Sequence, residues 1–337
     1  MIKIKMFNTR EEEQASALAW AKETDVHVTC CSESLTIEGV ADLEGYDGIS
    51  LSQIKNLDKD LYPLLKKAGI KQIAQRSAGF DMYDLELARE NGLIISNVPS
   101  YSPESIAEFT VMSALNLIRH VKTMNKRVSE KDFRWNPDFR GRVLGNMKVA
   151  IIGTGHIGYL TAKIFKGFGA EIYAYDLYPN EAYSDLLTYV SSVEEAVKHA
   201  DIISLHVPAT KENKHLFNME LFKKCKPGVM LLNMARGALV NTRDLLVAIE
   251  EGWVSSAALD TYEFEGPFVT KNFSNQPIEN PEFLEVIATD RITYTPHVAF
   301  YTDEAITNLV QGGLQSALEV IQSGSTKNDV TASKTFG

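Results

Sequence analysis

Near the middle of the chain, Val149, Ala150, Ile151 and Ile152 run directly into Gly153-Thr154-Gly155-His156-Ile157-Gly158. No other stretch restricts the fold as much. An unbroken apolar run suits a parallel strand covered on both faces. The GxGxxG spacing asks for a tight turn, a backbone bare enough to approach a pyrophosphate, and close packing of helix on strand. A helix opening at His156 would aim its free N–H groups and the positive end of its dipole at that phosphate. The glycines alone mean little; between a buried strand and a helix they predict a dinucleotide site. Asp176 ends the next expected strand, 18 residues beyond Gly158. A carboxylate there accepts from both ribose hydroxyls and repels a 2′-phosphate. No arginine stands in Leu177-Tyr178-Pro179, so the cofactor expected is NAD rather than NADP.

That unit sits in the middle of 337 residues, a length that suggests about two domains. Before it, strand-like segments at 2–7, 26–30, 48–51, 70–75 and 93–98 alternate with helical ones at 11–23, 61–68 and 85–90. This pattern predicts a small parallel α/β domain. Residues 103–126 predict one long helix, with Ser102 as N-cap and Pro103 in its first turn. Its Ile106, Phe109, Val111, Met112, Leu115, Leu117 and Ile118 leave it apolar over much of its circumference, so it should be buried against a second domain or a second subunit. A polar connector follows at 131–145. Beyond the glycines, strands are expected at 171–175, 187–190, 202–206, 229–233, 254–259 and 292–295. Helices fall between them at 156–168, 193–198, 219–223 and 242–250. An amphipathic helix at 303–322 precedes a polar tail of small residues. The fold class expected is α/β, with two Rossmann-like parallel-sheet domains. A NAD-binding domain, 102–298, is inserted into a substrate-binding domain, 1–101 plus 299–337. The two crossings, near 101 and 298, would form a hinge, and clefts between domains commonly hold ligands.

Charge narrows the partners. There are 34 Lys and Arg against 44 Asp and Glu, a net charge of −10, which argues against nucleic acid or an anionic membrane as partner. The chain is 45% hydrophobic and 23% charged, an ordinary globular composition that excludes disorder throughout. No apolar run reaches membrane-spanning length, and residues 1–13 lack an apolar signal-peptide core. The three cysteines, Cys30, Cys31 and Cys225, are odd in number, two are adjacent, and no CxxC occurs. That argues against a disulfide framework or a zinc site, and no metal is expected. The setting expected is the reducing cytoplasm.

Ligands of open parallel sheets sit at the carboxyl ends of the strands. His206-Val207-Pro208, Asn233-Met234-Ala235-Arg236 and Asp260 occupy such ends, and His156 and Ile157 lie inside the glycine turn. Three residues at strand ends suit carbonyl reduction. Arg236 can grip a carboxylate bidentately and so orient a 2-oxo acid. His297, behind Pro296, suits a general acid near neutral pH. A carboxylate beside it would favour the protonated ring and fix its tautomer. Glu265 is the candidate, with Glu263 two residues away. Spacing alone leaves open whether these groups meet. His27, His120, His199, His206 and His215 are expected at the surface or at strand ends, and His156 is expected to order the glycine turn.

The glycine hexad, Asn233-Met234-Ala235-Arg236-Gly237-Ala238, Leu259-Asp260-Thr261-Tyr262-Glu263 and Thr295-Pro296-His297 together resemble the D-isomer-specific 2-hydroxyacid dehydrogenase family. The resemblance covers nearly the whole chain. It is strongest to a bacterial branch acting on pyruvate or bulkier 2-oxo acids, of which residues 96–103 and 296–301 are typical. It implies that Arg236 binds the substrate carboxylate, that His297 delivers the proton, and that Glu265 pairs with His297. Asp260 would face the nicotinamide carboxamide. Ala78 and Gly79 would offer main-chain N–H groups to the carboxylate, Tyr101 would close over the substrate, and Phe300 would wall the pocket. Tyr101 also fits a plain hinge residue, and Phe300 a core residue.

Branch members that prefer pyruvate often carry a tyrosine near position 52, where this chain has Ser52. Reduction of pyruvate is the first expectation. A branched or aromatic 2-oxo acid comes second, since a missing ring leaves room, and one methylene is worth only about 1–3 kcal/mol of discrimination. An NAD(H)-sensing binding protein on the same fold would carry extended disordered tails, and the tail here is short. Formate dehydrogenases share the NAD domain but lack the Glu–His acid pair. The family is usually dimeric, and the apolar 103–126 helix suggests a two-fold partner, so a homodimer is expected.

Overall fold

The computed structural model describes residues 1–332; the last five residues of the polar tail, 333–337, lie outside the described part. By internal contacts the chain forms two units, one of residues 1–102 with 301–337 and one of residues 103–300.

The first unit opens with five strands joined by three α-helices. Strands β1 (Lys3–Met6), β2 (His27–Cys30), β3 (Gly48–Leu51), β4 (Gln72–Gln75) and β5 (Ile94–Ser96) pair in the order β2-β1-β3-β4-β5, all parallel. Helices α1 (Glu11–Thr24), α2 (Leu61–Lys67) and α3 (Leu85–Glu90) connect them. Alternation along the strands splits the apolar residues between two faces. Ile49, Leu51, Ile73 and Ile95 face one way, into a core with Leu43, Leu65 and Tyr62. Ile4, Met6 and Ala74 face the other, into a core with Ala17 and Trp20 of α1.

In the second unit, α4 (Pro103–Ile118) and α5 (Val121–Ser129) stand where one long helix was expected. His120 is left-handed, with φ +53°, and breaks the run. The carbonyl of Ile118, which a continued helix would bond to residue 122, instead accepts the main-chain N–H of Arg142 at 3.2 Å. The buried face of α4 packs on α6, β10 and β11 of its own unit. That packing buries Ile106, Val111, Leu117 and Ile118, while Phe109 and Leu115 are half-buried and Met112 is exposed.

Seven parallel strands follow: β6 (Lys148–Ile152), β7 (Glu171–Tyr175), β8 (Thr188–Tyr189), β9 (Ile202–Leu205), β10 (Val229–Asn233), β11 (Val254–Leu259) and β12 (Ile292–Tyr294). Their spatial order is β12-β11-β10-β9-β6-β7-β8. Between them lie α6 (His156–Gly167), α7 (Val193–Val197), α8 (Met219–Phe222), α9 (Thr242–Glu250) and α10 (Pro281–Ala288). Every residue of β9 and β10 is buried, as strands covered on both faces must be. Side-chain oxygens restart the helices: Ser192 caps α7, Asn218 α8, Asn241 α9 and Asn280 α10.

The closing helix α11 (Asp303–Ser323) returns to the first unit, where it packs on α1, β3 and β4. Val310, Leu314 and Ala317 complete the core behind β1. The tail after it is not a loose polar end as far as Ala332. Asp329 bridges to Ser96, Val330 N–H donates to the Ile95 carbonyl at 2.9 Å, and Ile95 N–H donates to Thr331 Oγ1 at 2.6 Å. The edge of β5 offered unpaired main-chain groups, and this segment satisfies them. No described helix is long and apolar enough to cross a membrane.

Candidate active site

The seven strands of the second unit end along one edge of the sheet, and every residue singled out there lies on that edge. The chain leaves β6 toward β7 and β8, then returns past it to β9. Such a reversal opens a crevice at the strand ends where ligands bind. The glycine turn sits at this reversal. Gly153 has φ +95°, and a Cβ on it would lie 2.7 Å from the His206 carbonyl oxygen. A Cβ on Gly158 would lie 1.9 Å from the carbonyl oxygen of Gly153, so the first turn of α6 packs on the loop with no room for a side chain. A Cβ on Gly155 would meet nothing within 4 Å. Bare backbone there faces open space at the start of α6, the room a pyrophosphate needs.

Asp176 follows β7 beside this turn. Its Oδ2 accepts from Thr154 N–H at 2.6 Å and Thr154 Oγ1 at 3.1 Å, and its Oδ1 from Tyr178 N–H at 2.8 Å. Thr154 Oγ1 also shares a hydrogen bond with the Tyr189 hydroxyl at 2.8 Å. The acid is thereby held at the mouth of the glycine turn. His156 is exposed, Ile157 and Val207 are half-buried, and Pro208 is exposed. Met234 is buried and Ala235 half-buried after β10. These residues fit a dinucleotide. Among the described residues no group of three or more His, Cys, Asp or Glu is placed to hold a metal ion.

His206 is set apart from the other histidines. Its Nε2 lies 2.8 Å from Ser204 Oγ, and burial pushes its pKa down to about 3. Burial therefore favours the neutral ring.

Three adjacent strand ends assemble the other half of the edge. After β10, Asn233 folds the turn on itself: its Oδ1 accepts Ala235 N–H at 3.1 Å and its Nδ2 donates to the Arg236 carbonyl at 2.9 Å. Arg236 donates from a terminal guanidinium nitrogen to the Ala235 carbonyl at 2.9 Å. A Cβ on Gly237 would lie 2.2 Å from the carbonyl carbon of Tyr262, so this turn rests directly on the loop after β11.

Asp260 begins that loop, 1% exposed. Its Oδ1 accepts from Thr295 Oγ1 at 2.5 Å and Val298 N–H at 3.0 Å, and its Oδ2 from Ala299 N–H at 2.8 Å. Its carbonyl accepts the N–H of His297 at 2.8 Å. Its carboxylate brackets the turn that carries His297. The bracket holds His297 at φ +58°, a left-handed backbone that histidine tolerates better than most residues.

His297 Nδ1 lies 2.7 Å from Glu265 Oε1, and Glu265 Oε2 accepts Tyr262 N–H at 2.9 Å. With Nδ1 engaged by the carboxylate, Nε2 is the atom left to carry a transferable proton. Glu263, the alternative partner, points elsewhere. Its Oε2 lies 2.7 Å from His215 Nε2, and its Oε1 accepts Thr242 N–H at 3.0 Å. Phe300, half-buried, ends the unit.

The remaining expected residues belong to the first unit. Ser52, Ala78, Gly79 and Tyr101 are all half-buried. The two loops that carry the first three meet at Gln75, which is 1% exposed. Its Oε1 accepts Gln53 N–H at 3.1 Å and the Tyr83 hydroxyl at 2.5 Å. Its Nε2 donates to the Gln53 carbonyl at 3.0 Å and Ser77 Oγ at 2.9 Å. Asn97 Nδ2 supports the same loop through the Ala78 carbonyl at 2.7 Å, and Asn308 Nδ2 donates to the Tyr101 carbonyl at 2.6 Å.

Gln75, the Asp260 bracket and the His215–Glu263 pair were not read from the sequence. The pair of glutamates at alternate positions was a usable signal for a second partner. His215, 48 residues earlier, carried none.

Comparison with known proteins agrees with this geometry. The D-isomer specific 2-hydroxyacid dehydrogenase, NAD binding domain profile matches residues 111–299. A D-lactate dehydrogenase of Streptococcus agalactiae is 56% identical over 329 residues, covering 98% of this chain and all of that one. The structure of a D-lactate dehydrogenase from Treponema pallidum superposes with a TM-score of 0.90 at 38% identity, covering 98% of this chain and 99% of that one. A D-2-hydroxyisocaproate dehydrogenase gives the same TM-score at 33% identity, covering 98% and 100%.

Proposed function

The chain belongs to the D-isomer-specific 2-hydroxyacid dehydrogenases, and from that premise we propose that it reduces pyruvate to D-lactate with NADH, reversibly. The observation that carries the chemistry is the 2.7 Å contact between His297 Nδ1 and Glu265 Oε1 at the end of the NAD-domain sheet.

Bound NADH supplies the hydride that reduces the carbonyl carbon of the substrate. Arg236 pairs with the substrate carboxylate and polarises the carbonyl oxygen. His297 donates from Nε2 to that oxygen as it gains negative charge, and Glu265 stabilises the protonated ring and keeps Nδ1 engaged. Gly153, Gly155, His156, Ile157 and Gly158 hold the pyrophosphate, Asp176 the adenosine ribose, and Val207, Pro208, Met234 and Ala235 line the cofactor. Asp260 serves the nicotinamide side by holding the His297 turn. Ala78 and Gly79 offer N–H groups to the carboxylate, while Ser52, Tyr101 and Phe300 shape the side-chain pocket; these roles rest on the family resemblance.

A second reading is favoured by one residue. Ser52 is small, which admits bulkier branched or aromatic 2-oxo acids. NADH oxidation with pyruvate, 2-oxo-4-methylpentanoate and phenylpyruvate, with chiral analysis of the products, tests both. A D-product with pyruvate preferred supports the first, and preference for a bulky acid supports the second. Failure to turn over any 2-oxo acid while NADH still binds would leave an NAD(H)-sensing role instead.

The working unit is read as a homodimer in the reducing cytoplasm. Phe133 and Trp135, 73% and 100% exposed, offer apolar surface that a second copy would cover. Cys30, Cys31 and Cys225 are free thiols, which suits a reducing compartment. Light scattering behind a sizing column checks the first assignment.

A further inference from the structure

The loop after β11 carries two histidine–carboxylate pairs, and the chemistry above uses one of them. No helix or strand occurs between Leu259 and Pro281, so tethers must set the position of this segment. Within it, Glu263 is held at both carboxylate oxygens. Its side chain is 6% exposed, with Oε2 at 2.7 Å from His215 Nε2 and Oε1 accepting Thr242 N–H at the start of α9. A buried carboxylate is costly unless it is paired and hydrogen-bonded, and charge-assisted bonds of this kind are directional. Its anchors are themselves fixed. His215, left-handed at φ +55°, donates its N–H to the Ala238 carbonyl at 2.8 Å.

The clamp lies next to the group that aims Glu265. Tyr262, immediately before Glu263, gives its N–H to Glu265 Oε2 at 2.9 Å, and its carbonyl accepts Glu265 N–H at 3.1 Å. On the other side Gly237 closes against the same peptide: a Cβ there would lie 2.3 Å from the Glu263 nitrogen. The peptide that orients Glu265 is therefore held from one side by backbone packing and from the other by the Glu263 carboxylate.

We infer that Glu263, anchored by His215 and the first turn of α9, is the positioning residue that aims Glu265 at His297. The inference rests on His297 as the proton donor. Arg236 has its own support from Asn233, so losing the clamp should weaken proton delivery and spare substrate binding.

The test is steady-state pyruvate reduction, against pH, by Glu263→Ala, Glu263→Gln, Glu265→Ala and the double variant Glu263→Ala/Glu265→Ala. Glu263→Ala should lower kcat by about tenfold, within the range that a misplaced catalytic group costs. KM for pyruvate and for NADH should each stay within about twofold, because uniform binding is untouched. The basic limb of the pH–rate profile should move to lower pH, in the same direction as in Glu265→Ala. Glu263→Gln keeps an acceptor for Thr242 N–H and should recover most of the rate. In the Glu265→Ala background, Glu263→Ala should cost no more than about twofold, because coupled groups are not additive. An undiminished loss in that background, or a fall in kcat with the basic limb unmoved, overturns the inference. If Glu263→Ala does not fold, His215→Ala removes a single bond and must move the same limb in the same direction; an unmoved limb overturns the inference equally. If Glu265→Ala itself leaves rate and profile unchanged, the reading of the His297–Glu265 pair has failed, and the inference falls with it.

Discussion

Glu265 Oε1 sits 2.7 Å from His297 Nδ1, while Glu263, two residues earlier, pairs at the same distance with His215. Two glutamates on one loop thus serve two histidines, and His297 is served by the later one.

From that division, His297→Ala should lower kcat/KM for pyruvate by about 10²-fold or more, the usual worth of a general acid. NADH binding, followed by protein-to-cofactor fluorescence transfer, should be retained. A variant that reduces pyruvate at an undiminished rate would remove His297 from the proton path.

Arg236→Lys keeps the charge but loses the planar fork that fits a carboxylate. KM for pyruvate should rise by about tenfold or more, the cost of a bidentate charge-assisted contact. KM for NADH, measured at saturating pyruvate, should hardly change. Equal effects on both substrates would mean that Arg236 supports the sheet edge rather than the substrate.

The glycines of the turn should separate. Gly155→Val places side-chain atoms in space that is open in the protein, so the fold should survive and KM for NADH should rise. Gly158→Ala would drive a Cβ to 1.9 Å from the Gly153 carbonyl oxygen, so it should lower the melting temperature. Thermal melts with and without NADH distinguish the two: the first variant loses the ligand-induced gain, and the second loses intrinsic stability.

His206 makes a pH prediction. Its folded-state pKa, pushed by burial to about 3, lies below its unfolded value of about 6.5. Between those values the unfolded chain binds a proton that the folded one does not. Stability from this site is therefore whole above about pH 6.5 and falls as the pH drops toward 3. In urea titrations from pH 7 to pH 4, His206→Gln should show a flatter decline than the parent. Parallel curves would contradict the neutral ring.

Much of the fold was legible because its signals are local. Apolar runs marked the strands from β6 to β11, whereas α10, capped by Asn280, went unread. The 103–126 helix was misread because its apolar content continues past Ile118. The break there is set by Arg142 N–H reaching the Ile118 carbonyl and by the left-handed His120. The tail was misread because its small polar residues look unstructured until the edge of β5 pairs with them.

The sequence by itself determined the parallel α/β layers, the dinucleotide turn with Asp176 beyond it, and the strand ends at which Arg236 and His297 stand. Those features follow from residue period, glycine spacing and the carboxyl-edge rule, each readable within about twenty residues. Tertiary structure decided which glutamate meets His297, turned Asp260 into the bracket of the His297 turn, and joined the Ser52 and Ala78 loops through Gln75. Each of these depends on hydrogen bonds between segments tens of residues apart, so only the packed sheet edge chooses among chemically equivalent carboxylates and amides.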